Sequence, residues 1–273
     1  MNDTPEIHPD TPDAPLESLR PREEASSRAI KELLAISVSC DTRASLMAGY
    51  ASSVCVEARR MAASDKDTRP EDLKRLARDR DEEVRRRVAG NPHAPDLAVD
   101  ELASDRSPAV RGCICRRKDV SLPLLSKLSH DPNRMVRAAV AESEDCDAAL
   151  LDFLADDEDY LVAWAVAQNP HAGPGTLRRL AESSLQDIRC SVAENPSTPE
   201  AVLRGLLLAA FSPVNDDVAQ SVLKNANVTV GILDLILSCK RFSASTALLA
   251  LAKRHEAKGE TEQPGNKEKG ELR

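Results

Sequence analysis

The chain has 273 residues, 37 basic and 45 acidic side chains, a formal net charge of -8, and 2% aromatic residues. The acidic balance argues against general nucleic-acid or anionic-membrane binding, both of which need a basic footprint. So few aromatics argue against one large compact core and suit thin layers of Ala, Val and Leu.

Residues 1–26 hold five prolines and many acids and read as a disordered leader. Segment 27–69 predicts an N-terminal helical cap, with helices over 29–36 and 45–61. A regular array follows over 70–203. Its register is carried by Val84-Arg85, Val110-Arg111, Val136-Arg137 and Ile188-Arg189, with Val162-Ala163 in the fourth slot. Leu76, Leu102, Leu128, Leu154 and Leu180 keep the same 26-residue interval. Each unit opens on a proline or small residue (Pro70, Pro95, Ser121, Asp147, Gly173, Pro199) that suits a helix start. A first helix, such as 96–104, leads to a turn with an acid at Asp79, Asp105, Asp131 or Asp157, and Ser183 in the last slot. A second helix, such as 82–89, runs into Asn91-Pro92, Asn169-Pro170 or Asn195-Pro196, where proline forbids continuation. The slots at 117–118 and 143–144 lack that dipeptide.

After residue 203 the register breaks by a four-residue insertion around Ser212-Pro213-Val214-Asn215. Helices over 230–239 and 243–254 complete a divergent repeat and C-terminal cap (204–254), and 255–273 is a second solvated tail. Strict self-similarity at such a period predicts an all-α fold, an α-solenoid of 26-residue two-helix repeats with helical caps.

The unit is A-x-N-P-x-x-P-x-x-x-L-x-x-L-x-x-D-x-x-x-x-V-R-x-x-V. Residues Val88-Ala89-Gly90-Asn91-Pro92-His93-Ala94-Pro95 and Val192-Ala193-Glu194-Asn195-Pro196-Ser197-Thr198-Pro199 carry it most clearly. This resembles the leucine-rich repeat variant family, over about residues 70–203. The resemblance implies a bacterial protein, a right-handed superhelix and α-helices alternating with 3₁₀ helices. The unit here is slightly longer than that family's usual one, so a fully α-helical second helix, as in short HEAT repeats, is the other expectation. Some members carry an N-terminal iron–sulfur module. The first seventy residues here offer only Cys40 and Cys55, where four thiolates are usual, so no cluster is carried over.

On a helical wheel the column at Arg87 becomes small in later units (Cys113, Ala139, Ala165, Ser191) and faces the next layer, where small side chains allow close approach. The arginines 85, 111, 137 and 189 share a period with Asp79, Asp105, Asp131 and Asp157. An Arg–Asp ladder within or between units is preferred to a basic stripe for an anionic ligand. The unit with Ala163 lacks an arginine.

Positions 82, 86 and 90 and their equivalents lie on the exposed side of the second helix and obey no repeat rule, as expected of a ligand surface. Tyr160, Trp164 and Gln168 stand there, with Arg134, Arg86 and Arg116 as further candidate partner contacts. The other reading of Trp164 is filler for a gap left by Gly112 and Ala138. The run Asp156-Asp157-Glu158-Asp159 suits an acidic turn and a helix start better than a cation site.

Seven scattered cysteines and no opening apolar segment read as a reduced, cytoplasmic chain with cysteines as core filler. Cys113-Ile114-Cys115 has no second pair at metal spacing. His93 and His171 are three units apart, and no triad, phosphate loop or HExxH is present, so no catalytic, cofactor or metal residue is assigned. The expectation is a non-enzymatic scaffold whose partner is another protein of basic or mixed charge, not a membrane or nucleic acid. Two alternatives remain. One is a HEAT-like DNA-repair glycosylase or nucleic-acid-binding solenoid using Trp164 and Asp159, or, since such repeats also occur in bilin lyases, a pigment groove. The other is a cysteine-based redox or metal sensor.

Overall fold

The computed structural model describes residues 42–118, 120–210, 215–239 and 241–257. The expected leader 1–26, the helix over 29–36 and residues 258–273 of the tail lie outside them. Among the described residues the protein is all-α, with sixteen helices and no strand. They fall into two compact units that meet in sequence between Leu102 and Ala103.

The first unit holds α1 (Arg43–Ala51), α2 (Val56–Ser64), α3 (Pro70–Leu76), α4 (Glu82–Gly90) and α5 (Asp96–Leu102). The second unit begins with α6 (Pro108–Ile114), α7 (Leu122–Leu128), α8 (Arg134–Glu142), α9 (Ala148–Leu154) and α10 (Tyr160–Gln168). It continues through α11 (Pro174–Ala181), α12 (Gln186–Glu194), α13 (Glu200–Ala210), α14 (Asp216–Lys224), α15 (Val230–Ser238) and α16 (Ala244–Ala257). Within each unit the helices pair and stack as an α-solenoid. Second helices pack on second helices, α2 on α4 in the first unit and α6, α8, α10, α12, α14 and α16 in succession in the second.

Two expectations are corrected. The single helix over 45–61 is broken at Ser52–Cys55, where the Cys55 N–H bonds to the Ser53 hydroxyl at 3.0 Å. That bond reproduces the turn made by Asp79, whose carboxylate accepts the Asp81 N–H at 2.9 Å. The repeat register therefore reaches back into the expected cap. The tail expected from 255 is helical as far as Ala257 in α16.

Side-chain periodicity explains the stack. Leu76, Leu102, Leu128, Leu154 and Leu180 are buried, as are Val84, Val110, Val136, Val162 and Ile188. Each such side chain removed from water contributes about 1.5–3 kcal/mol. First helices are short, mostly seven residues, so their starts are fixed by local chemistry. Proline stands in the first turn of α3, α7 and α11, and Asp147 caps α9 by accepting the Leu150 N–H at 2.8 Å.

Two polar ladders link consecutive layers. In the first, a buried asparagine at the end of a second helix donates both amide protons to main-chain oxygens of the preceding layer. Asn91 reaches Ala63 O at 2.9 Å and Asp65 O at 3.1 Å; Asn169 reaches Ala141 O at 2.7 Å and Ser143 O at 3.0 Å. Asn195 reaches Ala167 O at 2.7 Å and Asn169 O at 2.9 Å. Each asparagine oxygen also accepts the N–H two residues on, at His93, His171 or Ser197. Asn225, which precedes Ala226 and no proline, makes the same bonds to Ala193 O and Asn195 O. Its span is four residues longer, so the four-residue insertion restores the packing register.

In the second ladder, Arg59, Arg111 and Arg137 each join their own turn to the next unit's aspartate. Arg111 Nη1 donates to Asp105 O at 2.6 Å, while Nε and Nη2 clasp the Asp131 carboxylate at 2.6 and 2.8 Å. Arg137 bonds Asp131 O at 2.9 Å and the Asp157 carboxylate at 2.6 and 2.9 Å. Arg59 does the same with Ser53 O and Asp79. Arg85 bonds Asp79 O at 2.9 Å, and Arg189 bonds Ser183 O at 2.6 Å. Asp105 accepts the Ser107 N–H at 2.8 Å. The direction of pairing explains the unit with Ala163. Asp157 takes its arginine from the unit before, and the residue twenty beyond Ala163 is Ser183, so arginine and carboxylate are absent together.

Burial pushes the carboxyls of Asp79, Asp131 and Asp157 up, but the arginine hydrogen bond, a backbone N–H and charge attraction reverse this and hold each below its ordinary value. Glu83, bonded by Arg86 and Arg87, is lowered to about 2. Carboxylates depressed in the folded state stabilise it above their unfolded values, and that stability is lost as pH falls through the folded ones. Urea unfolding midpoints are therefore expected to be flat from pH 7 to about 5 and to drop between about 4.5 and 2. Midpoints that stay constant across that lower window would contradict this account.

Candidate interaction site

The ridge of second helices in the second unit presents Tyr160 at the start of α10 and Trp164 one turn on. Asp159 caps α10 by accepting the Leu161 N–H at 3.0 Å, which fixes where the helix begins and places Tyr160 in its first turn. Tyr160 is exposed and Trp164 is half-buried. Together with Leu161 and Gln168 they form one wall of an open groove of about 480 Å³, and Asp187, Cys190 and Ser191 of α12 form the other. The groove follows from side-chain size, because Cys190 and Ser191 leave room that Trp164 only partly covers.

Trp164 therefore lies toward the following unit. A Cβ at Gly112 would meet Val136 and Ala139 in ordinary contact at 3.9 and 4.0 Å. Of the six candidate contacts, Tyr160, Trp164 and Gln168 share this groove. The other three lie elsewhere. Arg134 Nη1 donates to Asp159 at 3.1 Å and lines a separate polar hollow with Arg137 and Glu158. Arg86 is in the first unit and clasps Glu83 at 2.7 and 2.8 Å. Arg116 lines a polar cavity of about 470 Å³ with Arg117, Lys118, Glu142, Glu144 and Asp145, at the two slots without an asparagine.

The acid run is largely absorbed by structure. Asp156 lies 3.5 Å from Arg179, Asp157 completes a ladder rung, and Asp159 caps α10 and holds Arg134. An aromatic feature outside the second-helix ridge escaped sequence reading. His130 and Phe153 stack at 4.8 Å on the first-helix side, with Phe153 exposed; they occupy the same two columns, 23 residues apart, as the contacting pairs Arg78–Glu101, Ser104–Lys127 and Asp156–Arg179.

A solved structure described as a leucine-rich repeat variant with a novel repetitive structural motif is similar to this chain. The identity is 24% over 84% of this chain and 93% of that one, with a TM-score of 0.56. The fold is that of a leucine-rich repeat variant. Within this leucine-rich repeat variant fold, both helices of each pair are α-helical among the described residues, so the expected alternation with 3₁₀ helices does not hold. An X-ray structure of the Escherichia coli protein YibA is similar at 16% identity, over 87% of this chain and 84% of that one, with a TM-score of 0.35. No family model and no curated protein matches the chain.

Proposed function

We propose that this protein is a non-enzymatic scaffold that binds another protein along the ridge of its second helices, centred on the groove of Tyr160 and Trp164. The observation that carries this reading is an exposed tyrosine and a half-buried tryptophan on one wall of an open groove. Amphipathic aromatics in a partly desolvated pocket are what binding hot spots are made of. Asp187 in the groove and the chain's charge of -8 favour a partner of basic or mixed charge through steering.

The glycosylase alternative finds less support, since Asp159 already caps α10 and holds Arg134. The redox or metal alternative is disfavoured too, because burial pushes the thiols of Cys115 and Cys146 up to about 12, away from the reactive thiolate. No helix among the described residues is long and apolar enough to cross a membrane. A cytoplasmic site of action is part of the proposal, consistent with the free cysteines.

A photo-cross-linking residue at position 160 in the native host, with one at His93 as control, tests this. One protein captured at 160 and not at 93 is the expected result. The purified partner should then bind Tyr160→Ala/Trp164→Ala at least about thirtyfold more weakly, the loss of one hot spot of about 2 kcal/mol. Equal affinity for wild type and double variant would remove the groove from the reading.

A further inference from the structure

On either side of the Tyr160–Trp164 groove, the ridge of second helices is knit by its own polar groups. Arg134 holds Asp159 at 3.1 Å, Gln186 donates to Asp217 at 2.6 Å, and Lys224 reaches Glu194 at 2.7 Å. Inside the groove the pairing stops. Tyr160, Trp164 and Gln168 on one wall and Asp187 on the other make no side-chain hydrogen bond or ion pair among the described residues.

The unpaired groups of the first wall form one row. Positions 160, 164 and 168 lie on successive turns of α10, so phenol, indole and amide fall in line over about 12 Å. The phenol and the amide can donate, and the indole N–H can only donate. The row therefore calls for acceptors, and its aromatic faces for apolar surface. Across the groove the exposed carboxylate of Asp187 calls for a cation, and the small side chains of Cys190 and Ser191 beside it leave room for one.

The backbone of the occupant follows from these demands. A helical segment keeps its carbonyls on its own N–H groups and presents none to the row. A β-strand brings an N–H with every carbonyl, and the indole has nothing to accept it with. A polyproline II segment has no internal hydrogen bonds, so its carbonyls are available, and its prolines carry no N–H. About four of its residues span about 12 Å, and its rings pack on aromatic side chains. An adjacent arginine would meet Asp187 with a planar fork.

We propose that the groove binds an extended proline-rich segment of the partner, its rings on Tyr160 and Trp164, its carbonyls on the row of donors and an adjacent arginine on Asp187. This rests on the scaffold reading above and names the kind of segment the groove takes.

Fluorescence anisotropy of the full chain with labelled oligoprolines of about ten residues, long enough to overrun the row at both ends, tests this. One probe carries a single central arginine, a second carries glutamate in its place, and a third is an arginine-bearing amphipathic helix. The arginine probe is expected to bind saturably, the glutamate probe at least about tenfold more weakly, and the helix without saturation. Replacing an exposed side chain, Tyr160→Ala should weaken the arginine probe at least about tenfold at unchanged helicity. Asp187→Asn should cut the preference for arginine over glutamate at least about fivefold, whereas Asp156→Asn, outside the groove, should leave it unchanged. No saturable binding of the arginine probe, equal binding by wild type and Tyr160→Ala, or equal effects of Asp187→Asn and Asp156→Asn overturns the proposal. So does tighter binding of the helix. The cross-link at position 160 keeps the two readings apart: a captured protein without oligoproline binding sinks the proline-rich segment and leaves the scaffold standing, and loss of both sinks both.

Discussion

Asn195→Ala is expected to lower the unfolding free energy by about 3 kcal/mol. The side chain makes three hydrogen bonds, to Ala167 O, Asn169 O and from the Ser197 N–H, and is 2% exposed. Each bond is worth about 1 kcal/mol net, and truncation leaves two main-chain oxygens and one N–H in a dry interface. Asn195→Asp should be worse, because a carboxylate would face two carbonyl oxygens. Pro196→Ala, which leaves the clamp intact, should cost far less. Urea unfolding of the three variants checks the order. If Pro196→Ala proved as damaging as Asn195→Ala, the asparagine would matter only as part of a helix stop.

Arg137→Ala should cost about 3–5 kcal/mol, since it strands the Asp157 carboxylate in a site where that side chain is 9% exposed. The chain itself suggests the rescue. Where arginine is replaced by Ala163, the facing residue is Ser183, so Arg137→Ala/Asp157→Ser copies a pair the fold already accommodates. The double variant should recover most of the loss, giving a coupling energy of roughly 2 kcal/mol or more in a double-mutant cycle. Strict additivity of the two single substitutions would mean that the rung contributes nothing as a pair. The double variant should also show a shallower fall in stability below about pH 4.5, since one depressed carboxylate is gone.

The apolar columns were legible in the sequence because burial against a neighbouring layer imposes a fixed spacing and a narrow choice of residue. Leu128 and Val136 announce themselves by their neighbours one unit away. The asparagine clamp was visible only as punctuation. In Asn91-Pro92 the proline accounts for the helix end by itself, so nothing required the asparagine to have a task, and Asn225-Ala226 lacks even that signal. Arg59 was missed because its unit carries Ala58 in the valine column and Ser53 in the aspartate slot, while its hydrogen bonds depend on neither. Of the ridge, periodicity identified which positions were free to vary, and Tyr160, Trp164 and Gln168 do meet in one groove. It carried no information on ion pairing, which ties Arg134 to Asp159 and Arg86 to Glu83.

Because a rung borrows its two halves from different units, the array is a chain of plugs and sockets rather than a row of self-sufficient bricks. Loss of the 26 residues 112–137 in a recombination event would bring Arg111 opposite Asp157, and plug would still find socket. Loss of the 26 residues 138–163 would bring Arg137 opposite Ser183 and leave a guanidinium with no mate. Copy-number change in such a gene is therefore not neutral to where the cut falls. The stretch around Ala163 and Ser183 is a joint where the Arg–Asp pairing is interrupted, and units on either side of it are not interchangeable.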